Sequence, residues 1–169
     1  MNDMIVKLYS LPDVKPFMDK LNYSGIEVRQ SDQSEKIIIS DWIKRYFKES
    51  WAEGCKLAFM RKPVSCYIAI TKRKSIDSAK KSFKLMPETI VGFACYDVAS
   101  KGIFGPVGVR EDYRRKGIGK TLIITSLRAM MKEGYAYAII GEAGSIEYYY
   151  KTVGATIIEG SGMRISHGD

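Results

Sequence analysis

A chain of 169 residues with 46% apolar content is the size of one domain with a substantial core, which excludes global disorder. No apolar run reaches the roughly 18 residues that would span a bilayer, and no basic segment followed by a long apolar stretch opens the chain, so neither a membrane span nor a secretory leader is expected. The formal net charge of +8 points to an anionic partner, either a nucleic acid or a highly charged cofactor.

Residues 5–8 form a short apolar strand candidate. Pro12 and Pro16 bracket a helix start, with Phe17, Met18 and Leu21 on one face. A turn over 22–25 leads to a second short strand at 26–29. From 34 to 61 the pattern is helical. Ile38, Trp42, Ile43, Tyr46 and Phe47 recur at spacings of three and four, and Trp51, Cys55, Ala58 and Phe59 repeat the pattern in a second helix that Pro63 ends. Residues 66–71, 89–98 and 103–109 read as strands. The turn Ser100-Lys101-Gly102 makes the last two an antiparallel hairpin. The spacing predicts a helix over 117–133, with Ile123, Leu127, Met130 and Met131 in an apolar stripe and Gly134 as its stop. Residues 135–140 (YAYAII) read as a strand buried on both faces, 146–153 as a short helix ended by Gly154, and 156–159 as a last strand. This order predicts an α/β (α+β) fold, a mixed sheet flanked by helices on both faces, with a right-handed parallel crossover from 103 to 140.

Some features are weak signals. Cys55, Cys66 and Cys95 are odd in number and widely spaced, so neither a disulfide framework nor a metal site is expected, and a reducing, cytoplasmic location is the default. The basic stretch 72–84 holds Lys72, Arg73, Lys74, Lys80, Lys81 and Lys84 against Asp77 alone. Only Phe83 is interleaved and no nucleic-acid-binding signature accompanies it, so a solvated loop is favoured over a nucleic-acid patch. The single histidine, His167, lies in a glycine-containing tail, where solvent exposure is favoured over catalysis.

The informative stretch is 109–122, VREDYRRKGIGKTL. Gly119-Lys120-Thr121 imitates the end of a Walker A loop, but that motif needs a glycine where Arg114 stands. A dinucleotide fingerprint starting at Gly117 would need a third glycine where Leu122 stands. What remains is Arg114-x-x-Gly117-x-Gly119 between a strand end and a helix start. Such a loop suits a phosphate held by main-chain N–H groups, and Arg110, Arg114, Arg115, Lys116 and Lys120 outnumber Glu111 and Asp112 around it.

That run, with Val109 five residues before Arg114, resembles motif A of the GCN5-related N-acetyltransferase (GNAT) family. Tyr149-Tyr150-Lys151-Thr152-Val153-Gly154-Ala155 is similar to the family's F-Y-E-K-L-G-F segment. The stretches ESWAEGC and GYAYAIIG resemble a bacterial branch of the family. The element order agrees as well, over residues 26–161, with 1–25 an extension outside the resemblance. The chain departs from the family at Glu111 (usually proline), Ala143 (often asparagine, a contact to the pantetheine arm or the substrate) and Ala155 (usually aromatic), none of them in the phosphate loop.

The resemblance implies a mostly antiparallel sheet and acetyl-CoA as cofactor. Its diphosphate would lie on the amides of Arg115, Lys116, Gly117, Ile118, Gly119, Lys120 and Thr121, with Arg114 and Lys116 adding charge-assisted bonds. Val107, Gly108 and Val109 would offer a strand edge to the pantetheine arm. The Val109 N–H would face the developing oxyanion, and Tyr150, four residues before Gly154, would be the acid for the leaving thiolate. Glu142 and Asp97 are candidate bases. The acceptor would be an amine, small molecule or peptide, and Trp42, Tyr46, Phe47 and Trp51 could line its pocket or serve as core. The resemblance allows a homodimer. Two other functions fit the same residues: an acyl-CoA-binding module without catalysis, and a basic nucleic-acid- or ribosome-associated protein using 72–84.

Overall fold

The computed structural model describes residues 1–72 and 84–162. Seven strands form one sheet: β1 (Met4–Lys7), β2 (Ile26–Gln30), β3 (Cys66–Thr71), β4 (Ile90–Tyr96), β5 (Ile103–Val109), β6 (Tyr137–Ile140) and β7 (Thr156–Ile157). Their order across the sheet is β2-β3-β4-β5-β6-β1-β7. Every neighbouring pair is antiparallel except β5–β6. The helices are α1 (Lys15–Tyr23), α2 (Lys36–Tyr46), α3 (Glu49–Ala58), α4 (Ile118–Lys132) and α5 (Ile146–Val153). The mixed, mostly antiparallel sheet between helices is the expected class.

Two cores, one per face, explain the layering. On one face Leu21 of α1 and Ile123, Ile124, Leu127 and Met130 of α4 pack against Val28, Val91, Ala94 and Tyr96. On the other, Ile39, Trp42 and Ile43 of α2 and Ala52 and Cys55 of α3 pack against Ile68, Ile90, Phe93 and Cys95. β4 is therefore buried along its whole length. The β3–β4 register skips Val91, because Ala69 faces Gly92 while Ile70 faces Ile90. That one-residue bulge lets Val91 and Ala94 face the same core.

Two expectations change. The strand at 135–140 is not covered on both sides. β6 alternates, with Ala138 buried and Tyr137 49% exposed. The Tyr137 ring meets Tyr9 edge-on, centroids 5.8 Å apart. The first 25 residues are not an appendage either. β1 sits between β6 and β7, and Arg128 of α4 donates to the Pro12 carbonyl at 2.8 Å. The basic stretch expected at 72–84 lies largely outside the described residues, as does His167. No helix among the described residues is long and apolar enough to cross a membrane.

Candidate functional site

The site begins where two parallel strands part. β5 and β6 pair only at Ile103–Ile139 and Phe104–Ile140. Gly105 and Pro106 follow, and β6 ends at Ile140, so the pairing goes no further. The far half of β5 stays bonded to β4 through Val107, Gly108 and Val109. Its other edge is left open. The Arg110 N–H donates to the Val91 carbonyl of β4 at 2.8 Å. Strand polar groups alternate sides, so the Val109 N–H and C=O point the other way, into the gap. The Arg114 guanidinium, which donates to that carbonyl at 3.2 Å, agrees with this.

The loop after β5 is shaped for an anion. Arg115 (φ 64°) and Gly117 (φ 81°) both adopt the left-handed region, which turns successive N–H groups to one side. Arg115 holds this conformation at a cost of about 1 kcal/mol. α4 then starts with Gly117 as its N-cap, no side-chain cap and no acidic residue in its first turn. Its first N–H groups have no helical carbonyl to reach, and the helix dipole adds positive potential there. A Cβ on Gly119 would stand 3.4 Å from the Tyr148 hydroxyl and 3.6 Å from Val109 Cγ2, so glycine keeps this floor clear.

Cations around the loop rest on rings. Lys120 Nζ lies 4.4 Å from the Phe17 centroid, and Lys116 Nζ 5.3 Å from that of Tyr113. Arg110 stacks on Tyr113 at 4.9 Å and also binds the Asp112 carboxylate at 2.7 Å. That hydrogen bond holds the Asp112 carboxyl below the usual carboxylate range.

A cavity of about 690 Å³ joins these parts. Val107, Gly108, Val109, Arg114, Arg115, Gly117, Ile118, Gly119 and Lys120 border it, with Phe47, Trp51, Tyr113, Tyr148 and Tyr149 as walls. Lys116 and Thr121 do not line it. Thr121 is buried, and its hydroxyl donates to the Gly117 carbonyl at 2.8 Å. A second cavity of about 580 Å³, bordered by Tyr46, Phe47, Arg110, Glu111, Asp112 and Arg114, shares Phe47 and Arg114 with the first. Gly108 permits this arrangement, since a Cβ there would lie 2.7 Å from the Phe47 ring. Trp42, by contrast, is core, 3% exposed.

The tyrosine expected to reach the cavity does not. Tyr150 is 62% exposed and lies outside the lining. α5 docks so that Tyr149 is half-buried against the cavity, while Tyr148, 42% exposed, borders its mouth. Burial pushes the Tyr149 hydroxyl up to about 12 and raises that of Tyr148. Asp97 stands at the opposite end of the sheet, where its carboxylate meets Arg61 at 2.9 Å and the Tyr135 hydroxyl at 2.8 Å. Glu142 is exposed just past β6 and its N–H donates to Asp3. Phe17, Tyr113 and Tyr148 were not foreseen. Only the aromatic residue type and the neighbouring basic run hinted at Tyr113.

A basic, uncapped helix start facing a splayed mixed sheet gives this α/β domain the geometry to hold an anion, with room for an elongated ligand. The model of the Acetyltransferase (GNAT) family matches residues 37–155, and the chain belongs to that family. No curated protein matches. Among solved structures, the glucosamine N-acetyltransferase region of a fungal multi-domain GH3 beta-N-acetylglucosaminidase superposes with a TM-score of 0.69 at 11% identity, covering 93% of this chain and 19% of that one. A GCN5-related N-acetyltransferase from Sphaerobacter thermophilus gives 0.64 at 17% identity, covering 93% of this chain and 48% of that one. A GCN5-related N-acetyltransferase-like protein from Streptococcus suis gives 0.54 at 13%, covering 94% and 58%. The chain thus spans between a fifth and three fifths of the length of these structures, whose likeness establishes the fold. Proteins of this family use acetyl-CoA, and the residues present fit it: free amides at a positive helix end for a diphosphate, and an open strand edge for an amide-bearing arm.

Proposed function

We propose that the chain is an acetyl-CoA-dependent N-acetyltransferase acting on a primary amine of a small molecule or peptide, in a reducing compartment such as the cytoplasm. The bound cofactor supplies an acetyl thioester that a neutral amine attacks directly, with the coenzyme thiol leaving. The observation that carries the reading is the uncapped, basic start of α4 opening onto the unpaired edge of β5.

The chain's own groups divide the work. Amides from Arg115 to Lys120 hold the diphosphate, with Arg114 bracing the loop against β5. Val107 and Val109 offer strand hydrogen bonds to the pantetheine arm. The Val109 N–H is the donor for charge on the acetyl oxygen, a role worth about 3 kcal/mol where one such donor is removed. No enzyme nucleophile is needed, and the three cysteines are buried away from the cavity, in the core beneath α2 and α3. We assign the proton for the departing sulfur to Tyr148, whose hydroxyl stands beside Gly119, as does the Val109 side chain. The amine enters through the cavity between Tyr46, Phe47 and Glu111.

Coenzyme-thiol release against a panel of amines identifies the acceptor, and a chain that binds acetyl-CoA yet releases no thiol with any amine would be a binding module. The nucleic-acid alternative predicts an affinity that collapses with salt. With the acceptor in hand, Tyr148→Phe is expected to lower kcat about 100-fold, the scale of a general acid, with acetyl-CoA affinity within about threefold, since only the hydroxyl is removed. Tyr150→Phe, which removes the tyrosine in the family-like register, is the comparison. If it alone lowers kcat, the acid is Tyr150 and α5 turns on binding.

A further inference from the structure

Beneath α3, on the sheet face opposite α4, the three cysteines converge. Cys55 comes from α3, Cys66 opens β3, and Cys95 lies on β4 directly across from Cys66 in the register. All three side chains are fully buried, and their sulfurs lie within 4.8 Å of one another, those of Cys55 and Cys66 3.8 Å apart. Two further polar atoms point to an incomplete site. The hydroxyls of Ser31 and Ser65 are buried without a hydrogen-bond partner. Ser65 precedes Cys66, and Ser31, 5% exposed, donates its N–H to the Cys66 carbonyl at 2.9 Å.

One buried thiol packs like a small apolar side chain. Three sulfurs meeting at a point, drawn from three elements, present a set of soft donors. At the usual thiolate bond length of about 2.3 Å, three sulfurs in the plane of a central ion stand about 4.0 Å apart. The Cys55–Cys66 separation of 3.8 Å is close to that value, and no pair exceeds 4.8 Å. Structural zinc is closed by four ligands. Among the described residues no fourth cysteine, histidine or carboxylate joins the group. Low coordination by sulfur alone in an apolar setting suits a soft monovalent cation.

We propose that Cys55, Cys66 and Cys95 form a three-sulfur site for a soft, thiophilic metal ion, copper(I) being the fitting class. Each S–H that ionises gives its proton to solvent as a sulfur–metal bond forms, so loading tightens as pH rises. The ion enters as the α3–sheet core opens or folds. The site is independent of acetyl transfer and is read without acetyl-CoA.

The test uses the reduced full chain under anaerobic conditions, loaded with copper(I) in acetonitrile and desalted against a copper(I) chelator. One copper per chain should remain, with a near-ultraviolet sulfur-to-copper absorption. In metal-free protein all three thiols should titrate in denaturant. Cys55→Ala, Cys66→Ala and Cys95→Ala should each weaken retention at least tenfold, with a far-ultraviolet dichroism spectrum like that of the parent. The parent's stoichiometry and absorption decide the matter even if a variant does not fold. No retained copper overturns the site, as does copper retained equally by folded variants. A single titratable thiol in the metal-free protein overturns it too, because a disulfide would then occupy the pair.

Discussion

The two ends of α4 are built to opposite rules. At its C-terminus, the buried and half-buried charges have partners. Arg61 lies 2.9 Å from Asp97 and donates to Glu133 at 3.2 Å, and its guanidinium stacks on Tyr96. Tyr96 gives its hydroxyl proton to Glu133 in a short hydrogen bond, Tyr135 donates to Asp97, and the Gly102 N–H donates to the same carboxylate at 2.7 Å. At the N-terminus, the first amides have no cap, Arg115 sits in a left-handed conformation, and Lys116 and Lys120 rest on aromatic faces. One end is closed by its own residues. The other leaves donors and positive charge free for something that is not protein. Arg114 to Gly117 are exposed, so these donors are open to water or a ligand.

The largest effect should come from breaking the closed end. Arg61→Ala leaves the Asp97 carboxylate, 1% exposed, and the partly buried Glu133 without their cation. Removing one partner of a buried pair costs about 3 kcal/mol. In a domain of this size that lowers Tm by roughly 6–12 °C. Acetyl-CoA affinity should stay within about twofold, since the binding end is untouched. A large affinity loss with unchanged Tm would mean the two ends are not separate.

The open end breaks the other way. Gly119→Val puts a branched side chain where a Cβ already stands 3.4 Å from the Tyr148 hydroxyl and 3.6 Å from Val109 Cγ2. Acetyl-CoA affinity by calorimetry should fall about 100-fold, equivalent to about 2.8 kcal/mol. Gly119 is helical, with no left-handed conformation to lose. The melting temperature should therefore move far less than in Arg61→Ala. Unchanged affinity would remove the loop from cofactor binding.

What the sequence disclosed divides along the same line. The open end is local. Arg114, Gly117 and Gly119 lie within six residues, and the 3.6-residue periodicity of α4 follows at once, so loop and helix were legible together. The closed end is not local, since Arg61, Asp97 and Glu133 meet only after β3, β4 and α4 have packed. The convergence of Cys55, Cys66 and Cys95 is hidden for the same reason. It is set by the β3–β4 register and by the docking of α3. Tyr150 shows a subtler limit. Adjacent residues on a helix point about 100° apart, so counting back from Gly154 finds a turn of α5 but does not say which of its side chains docking sets against the cavity. The gap between β5 and β6 is equally non-local, because it depends on which strand lies beside β5 and where that strand ends.

The smallest predicted effect tests whether α1 belongs to the open end. Phe17 lies in the first 25 residues, before the segment that the family model matches, yet its ring sits under the Lys120 ammonium. A cation on an aromatic face keeps its charge, whereas one paired with a carboxylate presents none to a ligand. The ring therefore positions Lys120 near the helix start without neutralising it, which the closed end's carboxylates could not do. Phe17→Leu retains apolar packing against the α1–α4 core and removes only the π-face. Acetyl-CoA affinity should weaken about threefold, near 0.6 kcal/mol for an exposed cation–π contact. Tm should shift by less than about 3 °C, because an aromatic replaced by an aliphatic of similar volume at a half-buried position changes little. Identical affinity in Phe17→Leu and the parent, measured at low salt where the Lys120 charge counts most, would leave α1 a purely structural element.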